Sequence, residues 1–418
     1  MLIKMQVGEQ DRGELQVNVT DSDNAPIRDA RVTISEPETA INPNSPIERL
    51  ETDVSGQTQI VDLNTPPLEY SLNENNENMP YANYNIQIEV PGYETENIRN
   101  VEILPDSLSL QNVRMRKREG EQVENIDIDP HTLYAEYPEK IPEDEIKDVN
   151  EPGEIVLSRV VIPEYVVVHN GTPSSNARDY YVTYKDYIKN VASSEIYATW
   201  PRATIEANVL AIMSFTLNRV YTEWYRNKGY DFTITSSTAY DQKWIYGRNI
   251  FQSIDEVVDE IFDQYLSRPD VRQPILTQYC DGKRVTCPNW LSQWGSCNLG
   301  EQGYSPIEIL RHFYGSNMYI NTAEMISGIP ASFPGTNLTI GSSGDKVRQM
   351  QEQLDTIATV YSSIPRVAID GIYGPATAES VKVFQSVFGL PQTGVVDFAT
   401  WYKISHIYVG ITRIAELS

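Results

Sequence analysis

Residues 199–217 read TWPRATIEANVLAIMSFTL, and this stretch decides the fold of the middle of the chain. Its apolar side chains recur at helical spacing, which predicts a long helix with an apolar stripe. Thr199 is the predicted N-cap, and Pro201 falls in the first turn, where its missing N–H costs nothing. We expect the helix to run through Trp224 and to stop near Gly229.

The same central unit, residues 156–335, also contains β-branched strands and shorter helices. The run VVIPEYVVV at 160–168 is typical of strands, and helical spacing returns over 254–266 and 307–313. Strands mixed with helices predict an α+β fold for this unit.

The N-terminal part, residues 1–118, has a different pattern. Apolar and polar residues alternate over 15–19, 30–34 and 84–90, with turn residues between these segments. Several short alternating strands predict a small antiparallel β-sandwich. The pattern loosely resembles the carboxypeptidase-regulatory or transthyretin-like sandwich, and no catalytic constellation is recognisable in it.

Residues 119–155 form an acidic segment, with thirteen Asp or Glu and two Lys. Such a segment has too little apolar surface to offset its ordering entropy, so it is predicted to be an extended acidic linker. Two interpretations stay open. It is either a solvated spacer or a protease-accessible processing region between a pro-region and an enzyme.

Composition excludes several classes of partner. The 418-residue chain carries 33 Lys and Arg against 58 Asp and Glu, a formal net charge of −25. This balance argues against nucleic acid or an anionic membrane surface as a direct partner. There is no apolar run of about 18 residues, so no membrane insertion is expected. Residues 1–10 lack the apolar core of a secretory signal, so we expect synthesis without a signal peptide.

The C-terminal part, residues 336–418, carries a specific set of motifs. They are GSSGDKVRQMQEQL at 341–354, DGIYGPAT at 370–377 and TGVVD at 393–397. In this order they resemble the peptidoglycan-binding type 1 domain. The resemblance implies a three-helix module whose partner is the glycan-strand network of peptidoglycan.

Two blocks of the central unit carry a second resemblance. They are YIKNVASSEIYATWPRATIEANVLA at 187–211 and LSQWGSCNLGEQGYSPIEILRHFYG at 291–315. Together they resemble the stage II sporulation protein D family of peptidoglycan lytic transglycosylases, in which the start of the first block is strand-like. This implies cleavage of the MurNAc–GlcNAc bond with a 1,6-anhydro product and no cofactor.

The order of the units resembles that of clostridial spore cortex-lytic enzymes. The fold class is therefore multidomain α+β: an N-terminal β-sandwich, a central α+β catalytic domain and a C-terminal three-helix module. The resemblance implies a zymogen whose pro-region, residues 1–118, is removed by an activating serine protease. It also implies a location in the cortex or coat region of the spore and a role in germination.

Glu195 matches the catalytic glutamate of the transglycosylase family. In such enzymes one carboxyl can act first as acid and then as base, because the substrate's own C6 hydroxyl is the nucleophile. Apolar neighbours such as Val191 and Trp200 suit a raised pKa. The alternative is an ordinary glutamate favoured by the dipole at a helix start. Gln293 and Ser292 of the second block are candidate substrate-binding residues.

Three further residues resemble a groove-lining stretch of the family: Tyr240, Gln242 and Tyr246. If the enzyme were instead a hydrolytic muramidase, Asp241 or Glu206 would have to act as base. A third possibility is a non-catalytic wall-binding or spore-structural protein. No Ser-His-Asp, Cys-His or His-x-x-x-His pattern supports a peptidase or a zinc amidase.

The cysteines leave several states open. Several members of the family have a zinc-binding His-Cys pair just before the equivalent of Gln242, where this chain has Tyr-Asp, and we expect no metal. A zinc site built on Cys280, Cys287 and Cys297 would need a fourth ligand such as His312. The other states are a Cys280–Cys287 disulfide, or buried or free thiols including Cys297.

Overall fold

The computed structural model describes residues 11–37, 46–118, 123–148, 157, 159–327 and 333–412. Within these ranges the protein is a mixed α+β structure with several sheets. Residues 1–10, for which we expect no secretory signal, lie outside the described residues.

The N-terminal sandwich consists of two sheets. Alternation places Leu15, Val17 and Val19 in its core, while the residues between them face outward. Its elements are β1 (Asp11–Thr20), β2 (Arg31–Ser35), β3 (Pro46–Glu51), β4 (Val61–Thr65), α1 (Glu69–Leu72), β5 (Ala82–Glu89), β6 (Thr95–Ile103), β7 (Leu108–Arg114) and β8 (Val123–Asp127).

The sandwich is not purely antiparallel, unlike the prediction. One sheet has the order β7-β1-β4 and the other β3-β2-β5-β6-β8. The β1–β7 and β6–β8 pairs are parallel, because long connections return the chain to the same end of the sheet. Strand β8 belongs to the acidic segment, so the second sheet extends beyond residue 118.

The central unit surrounds one long buried helix. Its strands are β9 (Val161–Ile162), β10 (Tyr165–His169), β11 (Asp179–Thr183), β12 (Ile234–Thr235), β13 (Ile250–Phe251), β14 (Gln264–Ser267), β15 (Tyr279–Cys280), β16 (Leu291–Ser292), β17 (Tyr319–Thr322) and β18 (Met325–Ile326). Its helices are α2 (Tyr184–Glu195), α3 (Arg202–Tyr221), α4 (Gln252–Ile261), α5 (Gln293–Glu301) and α6 (Pro306–Tyr314).

The long helix α3 exists as predicted, but its ends differ. Pro201 takes the N-cap position, and the Thr199 hydroxyl instead donates to the Ser71 hydroxyl of the sandwich at 2.8 Å. The helix ends at Tyr221, and the left-handed Gly229 closes a separate short 3-10 turn. Tertiary contacts, rather than local capping preference, therefore set the helix start.

Two other predictions for the central unit need correction. The start of the first motif block, strand-like in the family pattern, is the helix α2. The helix predicted over 254–266 ends at Ile261, and Gln264–Ser267 forms β14, which pairs with β17. A partner strand over fifty residues away overrides the local helical spacing there.

The acidic segment is not a solvated spacer where the structure describes it. After β8 the chain continues as an irregular stretch, residues 128–148, which we call the covering segment. Its side chains Leu133 and Tyr137 and both of its lysines are buried against the central unit. The prediction of an extended linker considered the charge of the segment alone, whereas Lys140, Glu143 and Glu145 have partners in the central unit.

The C-terminal module has the three expected helices, α7 (Asp345–Val360), α8 (Pro375–Val387) and α9 (Phe398–Thr412). Its core continues into that of the central unit: the rings of Tyr402 and Phe262 lie 5.2 Å apart, centroid to centroid. The Lys403 ammonium lies 2.7 Å from the buried Asp259 carboxylate. The module is therefore docked on α4.

The sandwich is also joined to the central unit. The short strand β13 adds to its first sheet by pairing with β7, Ile250 opposite Leu110. Beside it, the guanidinium of Arg248 lies 2.7 Å from the Glu102 carboxylate, with both side chains buried. This junction fixes the sandwich next to residues 241–251, which lead directly to the candidate site.

Candidate functional site

Glu195 is the last residue of α2, and its side chain is completely buried. One carboxylate oxygen, Oε1, accepts the backbone N–H of Lys243 at 2.7 Å. The other, Oε2, accepts the hydroxyl of Tyr279 at 2.5 Å. The interpretation of Glu195 as a helix-start glutamate is wrong, because the dipole at a helix end does not favour a negative charge.

The electrostatic surroundings of Glu195 suit a carboxyl that can hold a proton. Burial raises the pKa of Glu195, and Lys140, Tyr279 and Lys243 partly oppose that rise. A carboxyl with a raised pKa is the kind of group that serves as a general acid.

The covering segment contacts the backbone on both sides of Glu195. The N–H of Thr132 donates to the carbonyl of Ser194 at 3.1 Å, and the Nε2 atom of His131 lies 3.3 Å from the carbonyl of Ile196. These contacts flank Glu195 in the chain. They hold the covering segment against the end of α2.

Lys140 of the covering segment reaches into the site. Its ammonium donates to the carbonyl of Asp241 at 2.8 Å and lies 4.6 Å from the centre of the Tyr279 ring. Burial lowers the pKa of Lys140, and the Glu195 carboxylate opposes that change. Burial and the same carboxylate raise the pKa of Tyr137 well above its usual range. A cation and a buried phenol of the covering segment therefore occupy the surroundings of Glu195.

Two ion pairs fasten the end of the covering segment. Glu143 accepts from the buried guanidinium of Arg219 at 2.6 and 3.0 Å, and Glu145 accepts from Arg268 at 2.6 and 2.7 Å. Burial alone would raise the pKa of Glu143, but Arg219 and Lys147 lower it to about 2. These are two-pronged, charge-assisted contacts, the strongest class of hydrogen bond in proteins.

Gln293 and Ser292 lie where α5 begins. The Gln293 amide donates to the backbone carbonyl of Glu195 at 3.2 Å, and its Oε1 atom is buried without a partner among the described residues. Ser292 is the N-cap of α5, and its hydroxyl accepts the N–H of Gly295 at 2.9 Å. The structure thus brings Gln293 to Glu195, whereas Ser292 has a capping role.

One member of the predicted groove-lining set, Gln242, is fully engaged in internal contacts. Gln242 is buried, and its amide oxygen accepts from Tyr187 at 3.0 Å and Thr216 at 2.8 Å. Its amide nitrogen donates to Ile212 at 3.0 Å. These bonds occupy both ends of the amide, so Gln242 braces α2 against α3.

The two tyrosines of that set make different contacts. Tyr246 is half-buried and faces the sandwich, where its hydroxyl lies 3.3 Å from both Glu124 and Arg116. Tyr240 is half-buried, and its carbonyl accepts from Arg219 at 3.2 Å. Among the described residues, Glu195 is not a hydrogen-bond partner of Tyr240, Gln242 or Tyr246.

The carboxylates considered for a hydrolytic mechanism are placed differently. Asp241 is fully buried and accepts from Arg219, Tyr225 and both the N–H and the hydroxyl of Thr235, at 2.6 to 2.9 Å. These contacts favour a structural role for Asp241. Glu206 is half-buried on α3, and burial raises its pKa.

The cysteines form the disulfide that was one of the open alternatives. Cys280 and Cys287 are bonded, and Cys297 is a buried thiol. Among the described residues there is no group of three or more His, Cys, Asp or Glu that could hold a metal ion. Within the same residues no helix has the length and apolar character needed to cross a membrane.

Sequence reasoning missed Tyr279 and Lys140 as parts of the site. Nothing local distinguishes Tyr279 among 26 tyrosines, because its contact with Glu195 spans 84 residues. A signal for Lys140 did exist. It is one of two lysines in a segment otherwise dominated by acids, and its exceptional charge could have marked a buried contact.

Comparisons with known proteins identify the C-terminal module. The family described as a peptidoglycan binding domain matches residues 343–404. The zinc D-Ala-D-Ala carboxypeptidase of Streptomyces albus G is 43% identical over 67 residues, 16% of this chain and 25% of that protein. The chain thus spans about a quarter of the length of the curated relative that it matches. The protein carries a peptidoglycan-binding domain, which supports binding to peptidoglycan and association with the cell wall.

Similar solved structures cover only part of the chain. A minor pilin of Streptococcus agalactiae shares 17% identity over 28% of this chain and 48% of its own, with a TM-score of 0.19. The 3-chlorocatechol 1,2-dioxygenase of Rhodococcus opacus 1CP shares 15% identity over 26% of this chain and 61% of its own, also with a TM-score of 0.19. At these scores neither likeness bears on function.

Proposed function

We propose that this protein is a lytic transglycosylase that cleaves the MurNAc–GlcNAc bond of spore-cortex peptidoglycan during germination. One observation carries the proposal. The carboxyl of Glu195 is buried and accepts two hydrogen bonds, and Gln293 donates to the backbone carbonyl of the same residue, in a chain with a peptidoglycan-binding domain.

In the proposed reaction Glu195 first acts as an acid. It gives its proton to the glycosidic oxygen as the bond to C1 of MurNAc breaks. The carboxylate then takes the proton of the C6 hydroxyl as that oxygen bonds to C1, which closes the 1,6-anhydro ring. The nucleophile is already part of the sugar, so a single carboxyl suffices. Gln293, a neutral amide, orients the sugar without competing for the proton.

We also propose that the chain is stored as a zymogen. The contacts of the covering segment with the backbone on both sides of Glu195, together with Lys140 and Tyr137 in the electrostatic surroundings of this carboxyl, support this. An activating serine protease that cuts within residues 119–155 would release this segment. Parts of that range, residues 119–122 and 149–155, lie outside the described residues.

The test is a digest of purified spore cortex, with fragments identified by mass spectrometry. The full chain, a form beginning near Glu151 and the same form with Glu195→Gln are compared. We expect 1,6-anhydro fragments, lighter by one water than hydrolysed ones, from the shortened wild type alone. Fragments with reducing ends would indicate a hydrolase with a second carboxylate. Retained wall binding without fragments would indicate a non-catalytic wall-binding protein.

Equal activity of the full chain and the shortened form would contradict the zymogen proposal while leaving the transglycosylase proposal intact. Glu206→Gln is a suitable control, because this half-buried carboxylate lies on α3. It should leave the products unchanged.

A further inference from the structure

The two hydrogen-bond partners of Glu195 differ in what they can do when the carboxyl gains a proton. The backbone N–H of Lys243 can only donate. The hydroxyl of Tyr279 can donate to a carboxylate and, after rotation, accept from a carboxyl O–H. Of these two partners, Tyr279 alone therefore suits both protonation states.

Tyr279 is held rigidly in front of Glu195. It lies on β15, which pairs in parallel with β16, so that Tyr279 is opposite Leu291. The disulfide from Cys280 to Cys287 closes the loop that follows. The buried carboxylate of Asp281 accepts three successive N–H groups of that loop, those of residues 283–285.

The hydroxyl of Tyr279 keeps its own proton. Burial and the nearby charge of Glu195 hold the pKa of Tyr279 well above its usual range. The hydroxyl therefore keeps its proton at neutral pH. It acts by its hydrogen bond and not by its own ionisation.

We propose that Tyr279, braced by the Cys280–Cys287 disulfide, is a positioning residue that orients the acidic proton of Glu195. The inference rests on the proposed function of Glu195. While Glu195 is a carboxylate, Tyr279 donates to Oε2. When Glu195 is protonated, the hydroxyl rotates and accepts, so that the O–H of Glu195 has a defined direction until it meets the glycosidic oxygen. Only hydrogen bonds change in this step, and the proton stays on Glu195.

Other charged or titratable groups also face Glu195, and their contributions must be kept constant in a test. Lys140 leaves the site when the covering segment is removed, and Lys243 remains through its backbone N–H. The groups that interact electrostatically with Glu195 are Tyr137, Lys140, Tyr187, Lys243 and Tyr279.

The experiment measures the ionisation of Glu195 directly in the full chain. Infrared difference spectra against Glu195→Gln report the protonated carboxyl of Glu195 as pH is changed, without substrate. In Tyr279→Phe the charged form loses a donor, so the pKa of Glu195 should rise by about one unit. Tyr184→Phe is the matched control, because this buried hydroxyl has no hydrogen-bond partner among the described residues. It should leave the titration unchanged.

A second measurement follows activity in the activated enzyme. In Tyr279→Phe the alkaline limb of the pH–rate profile should move up by about one unit, and the maximal rate should fall roughly tenfold as the proton loses its orientation. A fall in rate with both the limb and the infrared titration unmoved would overturn the proposal, since a purely structural role predicts that result. If no 1,6-anhydro products form at all, the proposed function fails, while the infrared titration still decides the role of Tyr279.

A further variant covers the case in which Tyr279→Phe does not fold. Fluorotyrosine at position 279 keeps the side chain's shape and makes its hydroxyl a stronger donor. The pKa of Glu195 should then fall, opposite in sign to the effect of phenylalanine. An unchanged titration in this variant would also overturn the proposal.

Discussion

Replacing Glu143 by Gln should loosen the covering segment. Glu143 joins this segment to the buried guanidinium of Arg219, and its pKa is lowered to about 2. Against an ordinary value of about 4.5, that difference of about 2.5 units corresponds to about 3 kcal/mol in favour of the closed segment at neutral pH. Because the pKa is depressed, this stabilisation is present above about pH 4.5 and is lost as the pH falls through about 2.

Hydrogen exchange is the appropriate assay, because it reports local opening of the segment. The N–H of Ile141 donates to Ala239 and that of Lys147 donates to the Gln273 side chain, so both are protected only while the segment is closed. A loss of about 3 kcal/mol should speed their exchange by roughly a hundredfold at neutral pH.

A matched control is available within the same segment. Glu139→Gln removes the same charge at an exposed position and should leave exchange at Ile141 and Lys147 unchanged. Equal exchange in Glu143→Gln and the wild type would refute the claim that this ion pair holds the segment closed. Equal acceleration by both variants would assign the effect to net charge instead.

Three further substitutions should change stability in directions that the structure sets. Arg248→Ala leaves Glu102 buried without its partner and should lower the free energy of unfolding by about 3–5 kcal/mol in a urea titration. Lys403→Met removes the ammonium contact with Asp259 and should make α9 susceptible to proteolysis before the rest of the chain unfolds. Burial raises the pKa of Asp263 to about 6, so the wild type should lose about 2 kcal/mol as pH rises from about 4 to 6. Asp263→Asn, which does not ionise, should lack that loss in urea titrations across this range.

Each of these three predictions can be contradicted by a specific result, and the first has a control variant. Arg31→Ala breaks an exposed pair with Glu89 and should cost less than about 1 kcal/mol. A similar cost for Arg248→Ala would show that the buried pair is not important for the junction. Proteolysis of α9 at the wild-type rate in Lys403→Met would contradict the docking role. Parallel pH curves for Asp263→Asn and the wild type would contradict the raised pKa.

Much of the fold is encoded locally and could be predicted from the sequence. Alternation places Leu15, Val17 and Val19 on one face of a strand, because successive side chains of a strand point to opposite sides. Helical spacing identifies α3, and the motif order identifies the C-terminal module, which a family match confirms. The motif around Glu195 also selects the residue that the structure buries beside Gln293.

The ends of elements and the strand directions required long-range information. The N-cap of α3 is Pro201 and not the predicted Thr199, since the threonine hydroxyl donates to Ser71 of the sandwich. Gln264–Ser267 became a strand because it pairs with Tyr319–Thr322. Local propensity is too weak to decide between such alternatives when a partner far along the chain is present.

The sequence by itself therefore determined the three kinds of unit and the candidate acid, Glu195. Only the tertiary structure decided that residues 128–148 pack against the backbone on both sides of Glu195 and that Tyr279 donates to its carboxylate. The physical reason is the distance along the chain. Glu143 and its partner Arg219 are 76 residues apart, and no local pattern tells whether a charge will be solvated or paired in the folded protein.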